Sequence, residues 1–517
     1  MLDRLWIALA LPFFLGLAAS WIIEALLQPR PRPPWRRPLA ANLTHAGVWM
    51  LAFALEVALF RRPYFAVANV LAIELVLVVV SLAKYRSLQE PFVYPDFEYF
   101  VDAMRHPRLY LPFLGWGSLL GLCAAYGLAL WAGLSFEVSL LEQVHADALY
   151  AAVALLALAG LAVAISASRR LNVDFEAGAD LRRLGLISAL WAYGRAERQP
   201  AAELSQRSPF AAGSPVHLPE ELPDLVSIQS ESFFDVRNAY PIVKKDVLSG
   251  FDVLCSEASF HGPLEVAARG ANTVRSEFAF LSGLAPDALG VHRYNPYRRL
   301  VTRGFPTIAS YLRSLGYRTV CVHPYHREFY RRERVLPLLG FDEFIGIEAF
   351  DAAQKVGAYI GDEAVGQYVS TLLRREDRRP IYVHVITMEN HGPLHWEEVS
   401  EADVHAQLDG PLPQGCADLV AYARHLRNAD AMFVTLRQVL LNNGRLGGLC
   451  VFGDHVPIMP QVYKALGEVS GATSAAIWAT DRVTDARAGE RHDLDISGLA
   501  VRFLTCFHLL SHSDSVR

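Results

Sequence analysis

The chain has 517 residues, of which 52% are hydrophobic, and its mean hydropathy is +0.21. This length accommodates several domains at roughly 100–200 residues each, and the hydropathy is high for a soluble protein because apolar residues are concentrated in the first third. The formal net charge of −5 argues against a general nucleic-acid binder. The six cysteines are scattered without a C-x-x-C pair, which predicts neither a zinc knuckle nor a disulfide framework.

Five apolar stretches come first in the chain. Each is close to the ~20 residues that a helix needs to span a bilayer. The first continues as an apolar segment past a possible signal-peptide cleavage site, so we expect an uncleaved anchor. The sequence therefore predicts a five-span membrane domain over residues 1–167, with spans at 5–27, 41–60, 64–83, 111–134 and 148–167.

The loops between these stretches carry the charge that bears on membrane orientation. Arginines and lysines are concentrated in the first and third loops. The positive-inside rule would make both loops cytoplasmic, and the C-terminal domain with them. Residues 84–96 of the third loop mix aromatics, prolines and charges, which is typical of a membrane interface.

Residues 168–222 have the character of a connector. Spaced apolar positions among arginines over 181–196 predict one amphipathic helix, lying on the membrane or on the next domain. A linker rich in Pro, Ser, Ala and Glu follows. A globular domain then runs over residues 223–517, and this is long enough to bury a full core.

Strand-like and helix-like segments alternate in the globular domain, which predicts an α/β fold with a doubly wound, mostly parallel sheet. Four strand-like runs lead into polar residues that could bind a ligand. These residues are Glu231, His323, His391 and the pair Asp454–His455. Ligands of open α/β sheets bind at the carboxyl ends of the strands, so we expect these residues at one edge of the sheet.

Each of these signals also has an ordinary structural explanation. A carboxylate beside an imidazole suits a divalent metal, yet Asp454–His455 alone would more often be loop polarity. Glu231 is either a metal ligand or a charge favoured by a helix N-terminus. Thr273 opens a helix, where it is either an N-cap or a nucleophile at the helix end that favours phosphate.

Four short motifs together resemble a known family. They are Gln-Ser-Glu-Ser-Phe at 229–233, Asn-Thr-Val-Arg-Ser-Glu-Phe at 272–278, Glu-Asn-His-Gly-Pro at 389–393 and Gly-Asp-His at 453–455. In this order they resemble the lipoteichoic acid synthase and phosphoglycerol transferase I family of the alkaline phosphatase/sulfatase superfamily. The resemblance covers nearly the whole chain and implies that residues 223–517 form a sulfatase-like catalytic domain.

The resemblance also implies a set of site residues. It implies one divalent ion, Mn²⁺ or Mg²⁺, with the ligands Glu231, Thr273, Asp454 and His455, and it makes Thr273 the catalytic nucleophile. It implies contacts with the phosphate and glycerol of the substrate at His323, Tyr330, Arg332 and His391. Tyr330 stands where the lipoteichoic acid synthases have tryptophan, so aromatic stacking at this position is an expectation that departs from the family pattern.

The function implied by the resemblance is that of a membrane-bound phosphoglycerol transferase. Glycerophosphate would move from phosphatidylglycerol to a hydroxyl of a glycan or a polyglycerolphosphate chain, through a metal-bound phosphothreonine. The protein would lie in the cytoplasmic (inner) membrane with its catalytic domain outside, which opposes the loop-charge count.

Other functions stay open. One alternative is a phosphoethanolamine transferase or phosphodiesterase of the same superfamily, because loops choose the head group. A formylglycine sulfatase is disfavoured, since Thr273 does not stand in the C/S-x-P-x-R context that this chemistry needs. A second alternative is a non-catalytic lipid-binding scaffold, but all four candidate metal positions hold competent residues.

Overall fold

The computed structural model describes residues 2–98, 100, 116–199, 201–211, 218–375, 379–481 and 494–510. The chain forms two compact units, Met1–Gln199 and Pro200–Arg517. The residues of the predicted connector, 168–222, are thus divided between the two units.

The first unit is built on five long apolar helices. Each is long and apolar enough to cross a membrane, so the prediction of five spans is confirmed for the described residues. Residues 111–115 of the fourth predicted span lie outside the described residues. The helices are α1 (Leu2–Glu24), α2 (Leu39–Phe60), α3 (Pro63–Leu88), α4 (Trp116–Phe136) and α5 (Ala146–Ser168).

The prediction of a single amphipathic helix over 181–196 is wrong, because the structure has two helices in this region. They are α6 (Ala177–Leu184) and α7 (Leu186–Ala196). Gly185 separates them with a φ of +82°, a left-handed conformation that ends α6 and that side chains other than glycine rarely adopt. The leucines of both helices, at 181, 184, 186 and 190, are buried within the first unit.

A buried ion pair joins three parts of the first unit. Arg37, in the loop after α1, donates from Nη1 to Oε2 of Glu24, and both side chains are almost fully buried. The other oxygen of Glu24 accepts a hydrogen bond from the backbone N–H of Ile187 at 3.0 Å. Ser188 donates to the carbonyl of Ala41 at 2.7 Å. These bonds hold the start of α7 against the end of α1 and the start of α2.

We expect Arg37→Ala to destabilise the first unit, because Glu24 would stay buried after losing the guanidinium that pairs with it. Removing one member of a buried ion pair costs about 3–5 kcal/mol. Heat denaturation of the full chain in detergent measures the loss. The matched control is Arg36→Ala, which removes an exposed arginine from the same loop. Equal effects of the two variants would contradict the structural role of the ion pair.

The second unit is built around a sheet of eight strands in the order β10-β2-β9-β8-β1-β7-β3-β4, and a separate two-stranded sheet holds β5 and β6. The strands are β1 (Asp224–Ser230), β2 (Phe260–Glu265), β3 (Arg318–Val322), β4 (Glu343–Ile345), β5 (Lys355–Val356), β6 (Tyr359–Ile360), β7 (Ile381–Ile386), β8 (Gly447–Gly453), β9 (Thr473–Ala479) and β10 (Leu494–Asp495). Strands β8, β1, β7, β3 and β4 pair in parallel, whereas β9 is antiparallel to both β8 and β2. The prediction of a mostly parallel sheet is therefore confirmed.

Helices cover both faces of the large sheet. They are α8 (Ala202–Gln206), α9 (Val236–Ala239), α10 (Ser249–Glu257), α11 (Thr273–Ser282), α12 (Pro296–Arg299), α13 (Ile308–Ser314), α14 (Arg332–Leu338), α15 (Asp362–Leu373), α16 (Glu401–Gln407), α17 (Ala417–Asn442), α18 (Pro460–Leu466) and α19 (Ile496–Cys506).

Alternation along the strands divides the core into two clusters. In β8, Leu449 and Val451 pack in one cluster with α15 and α17, while Cys450 and Phe452 pack in the other with α11, α13 and α19. Successive side chains of a strand point to opposite faces, so each cluster fills one side of the sheet. This arrangement leaves the carboxyl edge of the parallel strands free to carry polar residues.

Candidate active site

Two neighbouring parallel strands bring the predicted metal ligands together. In the register of β1 and β8, Ser230 lies opposite Gly453. The residues that follow, Glu231 and Asp454, therefore leave the sheet side by side. Gly453 permits this approach, because a Cβ atom there would lie 1.8 Å from the carbonyl oxygen of Phe233. Any larger residue would push the two strand ends apart.

Glu231, Asp454 and His455 form a buried cluster in which one ligand atom of each lies within 4.8 Å of the others. His455 Nε2 is 3.4 Å from Oε1 of Glu231 and 3.4 Å from Oδ2 of Asp454. Nδ1 of His455 is 3.1 Å from the carbonyl of Val456 and so carries the proton, because a carbonyl only accepts. The lone pair of neutral His455 is then on Nε2, which faces the two carboxylates.

Electrostatics in this cluster favour a cation. Burial and the neighbouring charge of Glu231 raise the pKa of Asp454 to about 7. Burial opposes protonation of His455, but Asp454 and Glu231 together raise the pKa of its imidazole. Oδ2 of Asp454 is buried without a hydrogen-bond partner among the described residues. Two carboxylates, a free imidazole lone pair and an unsatisfied oxygen fit a divalent metal ion.

Ser232 fixes the two carboxylates from the β1 side. Its backbone N–H donates to Oδ1 of Asp454 at 2.9 Å, and its hydroxyl donates to Oε1 of Glu231 at 2.9 Å. Its backbone has a φ of +55°, a conformation that residues other than glycine seldom adopt. Such strain is concentrated at functional sites, where neighbouring contacts stabilise it. The Ser232 turn thus holds the orientation of both acidic ligands.

Thr273 is the first residue of α11, the helix that bonds to Asp454 through Ser276. The N-cap is Asn272, in the left-handed region at φ +65°, so the interpretation of Thr273 as an N-cap is wrong. One turn further along α11, Ser276 donates to the carbonyl of Asp454 at 2.6 Å. Residues three apart share a helix face, so this bond brings the Thr273 side of α11 to the metal cluster. Among the described residues, the Thr273 hydroxyl has no hydrogen-bond partner.

A second buried cluster joins α11 to the basic loop after β3. Arg332 donates from Nη2 to Oε2 of Glu277 at 2.6 Å and from Nε to Oε1 at 3.3 Å. Tyr297 donates to the same carboxylate. Burial alone would raise the pKa of Glu277, but the Arg332 guanidinium more than offsets this and holds the pKa below its usual range. Glu277 lies four residues after Thr273, so one helix face carries both.

His323 completes this second cluster. Nδ1 of His323 is 3.0 Å from the carbonyl of Ile386, so Nδ1 carries the proton and Nε2 accepts from Nη1 of Arg332 at 3.1 Å. Burial, and then the charge of Arg332, lower the pKa of His323 well below its usual value. The imidazole is therefore neutral at physiological pH.

Two tyrosine rings contact residues of the predicted substrate site, Tyr330 next to Arg332 and Tyr359 next to His391. The Arg332 guanidinium lies 5.2 Å from the centroid of the Tyr330 ring, within the range of a cation–π contact. His391 lies 5.6 Å from the Tyr359 ring, centroid to centroid, and contributes to the lowered pKa of His323. His323 and Tyr330 thus contact Arg332, and His391 is close enough to affect His323 electrostatically. The contacts of all four residues with substrate stay a prediction.

Three contributions were not predicted from the sequence. The roles of Ser232 and Glu277 depend on partners more than 50 residues away, although the spacing of Thr273, Ser276 and Glu277 on one helix face was a usable signal. Asp362 and Glu389 form a second buried acidic pair, in which the N–H of Asp362 donates to Oε2 of Glu389 at 2.6 Å. Burial is the main cause that raises the pKa of both carboxyls.

Comparison with known proteins yields a family and several relatives. A family model described as Sulfatase matches residues 223–483. The capsular polysaccharide biosynthesis protein RkpI of Rhizobium meliloti (strain 1021) is 26% identical over 442 residues, which are 81% of this chain and 78% of that protein. Lipoteichoic acid synthase 1 of Bacillus subtilis (strain 168) is 24% identical over 158 residues, 30% of this chain and 24% of that protein.

A solved structure shares the architecture of the whole chain. It is the integral membrane protein lipooligosaccharide phosphoethanolamine transferase A of Neisseria meningitidis, with a TM-score of 0.58 at 13% identity, covering 98% of this chain and 97% of that one. Together with the five apolar helices, this likeness identifies a multi-pass membrane protein with an α/β domain of the alkaline phosphatase/sulfatase type.

We expect the buried pair of Glu277 and Arg332 to show strong coupling in a double-mutant cycle. Each single variant, Glu277→Gln or Arg332→Gln, should lower the free energy of unfolding by about 3–5 kcal/mol, because it leaves a buried charge unpaired. The double variant should lose less free energy of unfolding than the two single variants lose together. Urea denaturation of the full chain, followed by tryptophan fluorescence, gives the three values.

The control for this cycle is Arg327→Gln, which breaks the exposed ion pair with Glu348 and should cost below about 1 kcal/mol. Because the pKa of folded Glu277 is lowered, its stabilising effect is present above the unfolded pKa of about 4.3. This stabilisation is lost only as the pH falls through the lower pKa that Glu277 has in the folded protein. The destabilisation caused by Glu277→Gln should therefore not change between pH 6 and 8. Strict additivity would show that the two side chains act independently.

Proposed function

Since this chain belongs to the sulfatase family, we propose that it is a phosphotransferase that moves glycerophosphate from phosphatidylglycerol to the hydroxyl of a glycan or polymer. The observation that carries the proposal is the cluster of Glu231, Asp454 and His455 against the first turn of α11, where Thr273 stands with a free hydroxyl. The similarity to lipoteichoic acid synthase 1 supports glycerophosphate as the transferred group. The similarity to the capsular polysaccharide biosynthesis protein supports a glycan acceptor.

The reaction would run in two displacements at phosphorus. In the first, the oxygen of Thr273 attacks the phosphodiester, the bond to the diacylglycerol oxygen breaks, and diacylglycerol leaves with a proton. Glycerophosphate is then esterified to Thr273. In the second, the acceptor hydroxyl attacks the same phosphorus, loses its proton, and restores the Thr273 hydroxyl. Neither step changes an oxidation state.

The chain's own residues would bind and orient the phosphoryl group. Glu231, Asp454 and His455, with the Thr273 oxygen, would hold one divalent ion, Mn²⁺ or Mg²⁺, that lowers the pKa of the attacking hydroxyl and offsets charge on the phosphoryl oxygens. Thr273 lies where the N-terminal amides of α11 have no partner within the helix, and such amides favour phosphate. Arg332, which Glu277 and His323 hold in place, would add positive charge beside the group.

His391 is the best candidate to move the proton. Nδ1 of His391 lies 2.9 Å from the carbonyl of Gly392 and so carries a hydrogen, which leaves the Nε2 lone pair of the neutral ring available. The side chain is partly exposed, and a substrate hydroxyl could reach it. In the first displacement the proton of the Thr273 hydroxyl would pass to solvent, and protonated His391 would donate to the leaving diacylglycerol oxygen. In the second, neutral His391 would accept the proton of the incoming hydroxyl, and solvent would return a proton to the Thr273 oxygen.

We expect Thr273→Ala to abolish the covalent adduct and to lower diacylglycerol release from phosphatidylglycerol by at least about 10³-fold, as expected when the nucleophile is lost. Thr273→Ser keeps a hydroxyl at the helix start and should retain measurable turnover, which makes it the matched control. Diacylglycerol is quantified by chromatography. Release at the normal rate by the Ala variant would show that the mechanism is wrong.

The same adduct identifies the transferred head group. Mass spectrometry of the peptide that contains Thr273, after a short incubation with mixed phosphatidylglycerol and phosphatidylethanolamine, should find glycerophosphate on the threonine. Phosphoethanolamine on Thr273 would instead identify a phosphoethanolamine transferase that uses the same site. An adduct of neither kind, with no diacylglycerol release, would favour a non-catalytic scaffold.

We propose that the catalytic unit is extracytoplasmic, although the loop charges predict the reverse. Arg37, one of the counted arginines, is buried against Glu24 and is required by the fold on either side of the membrane. A fusion of alkaline phosphatase to the C-terminus should be active, because that reporter needs an oxidising compartment. A fusion of green fluorescent protein to the C-terminus should be dark, because this reporter does not fluoresce after export through the Sec pathway. The opposite pair of readings would place the catalytic unit in the cytoplasm and exclude acceptors outside.

A further inference from the structure

A cavity of about 340 Å³ in the first unit is lined by arginines. It lies between the loop that follows α1 and the connector helix α6. Its lining residues are Arg30, Arg32, Asp174, Ala179, Arg182 and Arg183. Its volume falls in the range of small-ligand pockets, about 300–1,000 Å³.

Backbone contacts and ion pairs fix the walls of this cavity. The N–H of Arg32 donates to the carbonyl of Arg182 at 2.8 Å, which holds the loop against α6. Arg183 donates to Oδ1 of Asp180 at 2.7 Å and lies 3.2 Å from the carboxylate of Asp174. The charge of Arg183 is therefore compensated within the protein.

The other three arginines have no such compensation. Among the described residues, no carboxylate lies within ion-pair distance of Arg30, Arg32 or Arg182, and all three are exposed. Like charges around one cavity repel each other, and a bound anion would convert this repulsion into attraction. A guanidinium group can donate two parallel hydrogen bonds to the oxygens of one phosphate. A phosphodiester is therefore the anion that these three arginines would bind best.

The position of the cavity indicates where that phosphodiester comes from. The loop with Arg30 and Arg32 begins directly after α1, the first candidate span, which ends at Glu24. Large apolar side chains of this region are left exposed, with Leu26 at 57% and Trp35 at 82% of their surface. Tryptophan beside arginine at the end of a span is typical of the membrane–water interface. A soluble phosphate would use the arginines but not these apolar side chains.

We propose that this cavity binds the head group of an anionic phospholipid, with Arg30, Arg32 and Arg182 around its phosphodiester and the acyl chains beside the exposed apolar residues at the end of α1. The site is separate from the Glu231 cluster, which belongs to the second unit. It does not depend on which head group the catalytic unit transfers.

Native mass spectrometry of the full chain in detergent tests the proposal, with equal amounts of phosphatidylglycerol and phosphatidylethanolamine added. The wild type should retain phosphatidylglycerol several-fold better than phosphatidylethanolamine. The triple variant Arg30→Gln, Arg32→Gln, Arg182→Gln should lose this preference, with phosphatidylglycerol binding weakened about tenfold. The triple variant with Lys at the same three positions keeps the positive charge but lacks the planar guanidinium. Its binding of phosphatidylglycerol should be weaker than that of the wild type and stronger than that of the triple Gln variant.

A charge-matched control distinguishes the loss of the cavity arginines from the loss of three positive charges anywhere in the first unit. The variant Arg36→Gln, Arg169→Gln, Arg170→Gln removes three exposed arginines that do not line the cavity, and it should bind phosphatidylglycerol as the wild type does. Equal losses in both Gln variants, or no preference in the wild type, would overturn the proposal. Because phosphatidylglycerol is also the proposed donor at the second unit, the comparison between the two Gln variants decides the proposal, and the wild-type preference alone does not.

Competition distinguishes the source of the phosphate. Glycerol phosphate or inorganic phosphate, added in tenfold excess over phosphatidylglycerol, should not displace the lipid. If either does, the ligand of this cavity is a soluble phosphate compound and the lipid proposal is wrong.

Discussion

Two carboxylates are buried side by side where β1 and β8 end, and the second unit depends on how this negative charge is balanced. The parallel register that sets Ser230 opposite Gly453 brings Glu231 and Asp454 together. Gly453 allows the close approach of the chain at Phe233. Hydrogen bonds alone leave one oxygen of Asp454 unsatisfied, so the arrangement calls for a cation. The close approach of these two strands thereby creates a buried acidic site that fits a divalent metal ion.

One helix connects this site with the positive charge that a phosphoryl group needs. Thr273, Ser276 and Glu277 share a face of α11, at spacings of three and four residues. Ser276 bonds to the metal-site strand end, and Glu277 bonds to Arg332. A shift of α11 would therefore move the proposed nucleophile, Thr273, and the Arg332 guanidinium together. This coupling explains why a buried ion pair, expensive in desolvation, lies so close to a proposed reaction centre.

The first unit uses its arginines in two different ways. Arg37 is buried against Glu24, the residue that bonds α1 to α7, whereas Arg30, Arg32 and Arg182 stay exposed around a cavity. A count of loop charges treats these residues alike. The fold separates them, because one side chain balances a buried carboxylate and the other three have no such partner in the described part of the chain. Charge counting therefore carries less information about this membrane unit than the contacts do.

The sequence by itself determined the spans, the mostly parallel sheet and the placement of candidate ligands at strand ends, because these depend on local hydrophobic pattern and on a general rule for sheet edges. It did not predict β2, the 26-residue α17, or the break at Gly185 between α6 and α7. Nor could it pair Glu277 with Arg332, 55 residues apart. Such contacts follow from strand order and helix packing, which no local pattern encodes, so only the tertiary structure decided how the site is held.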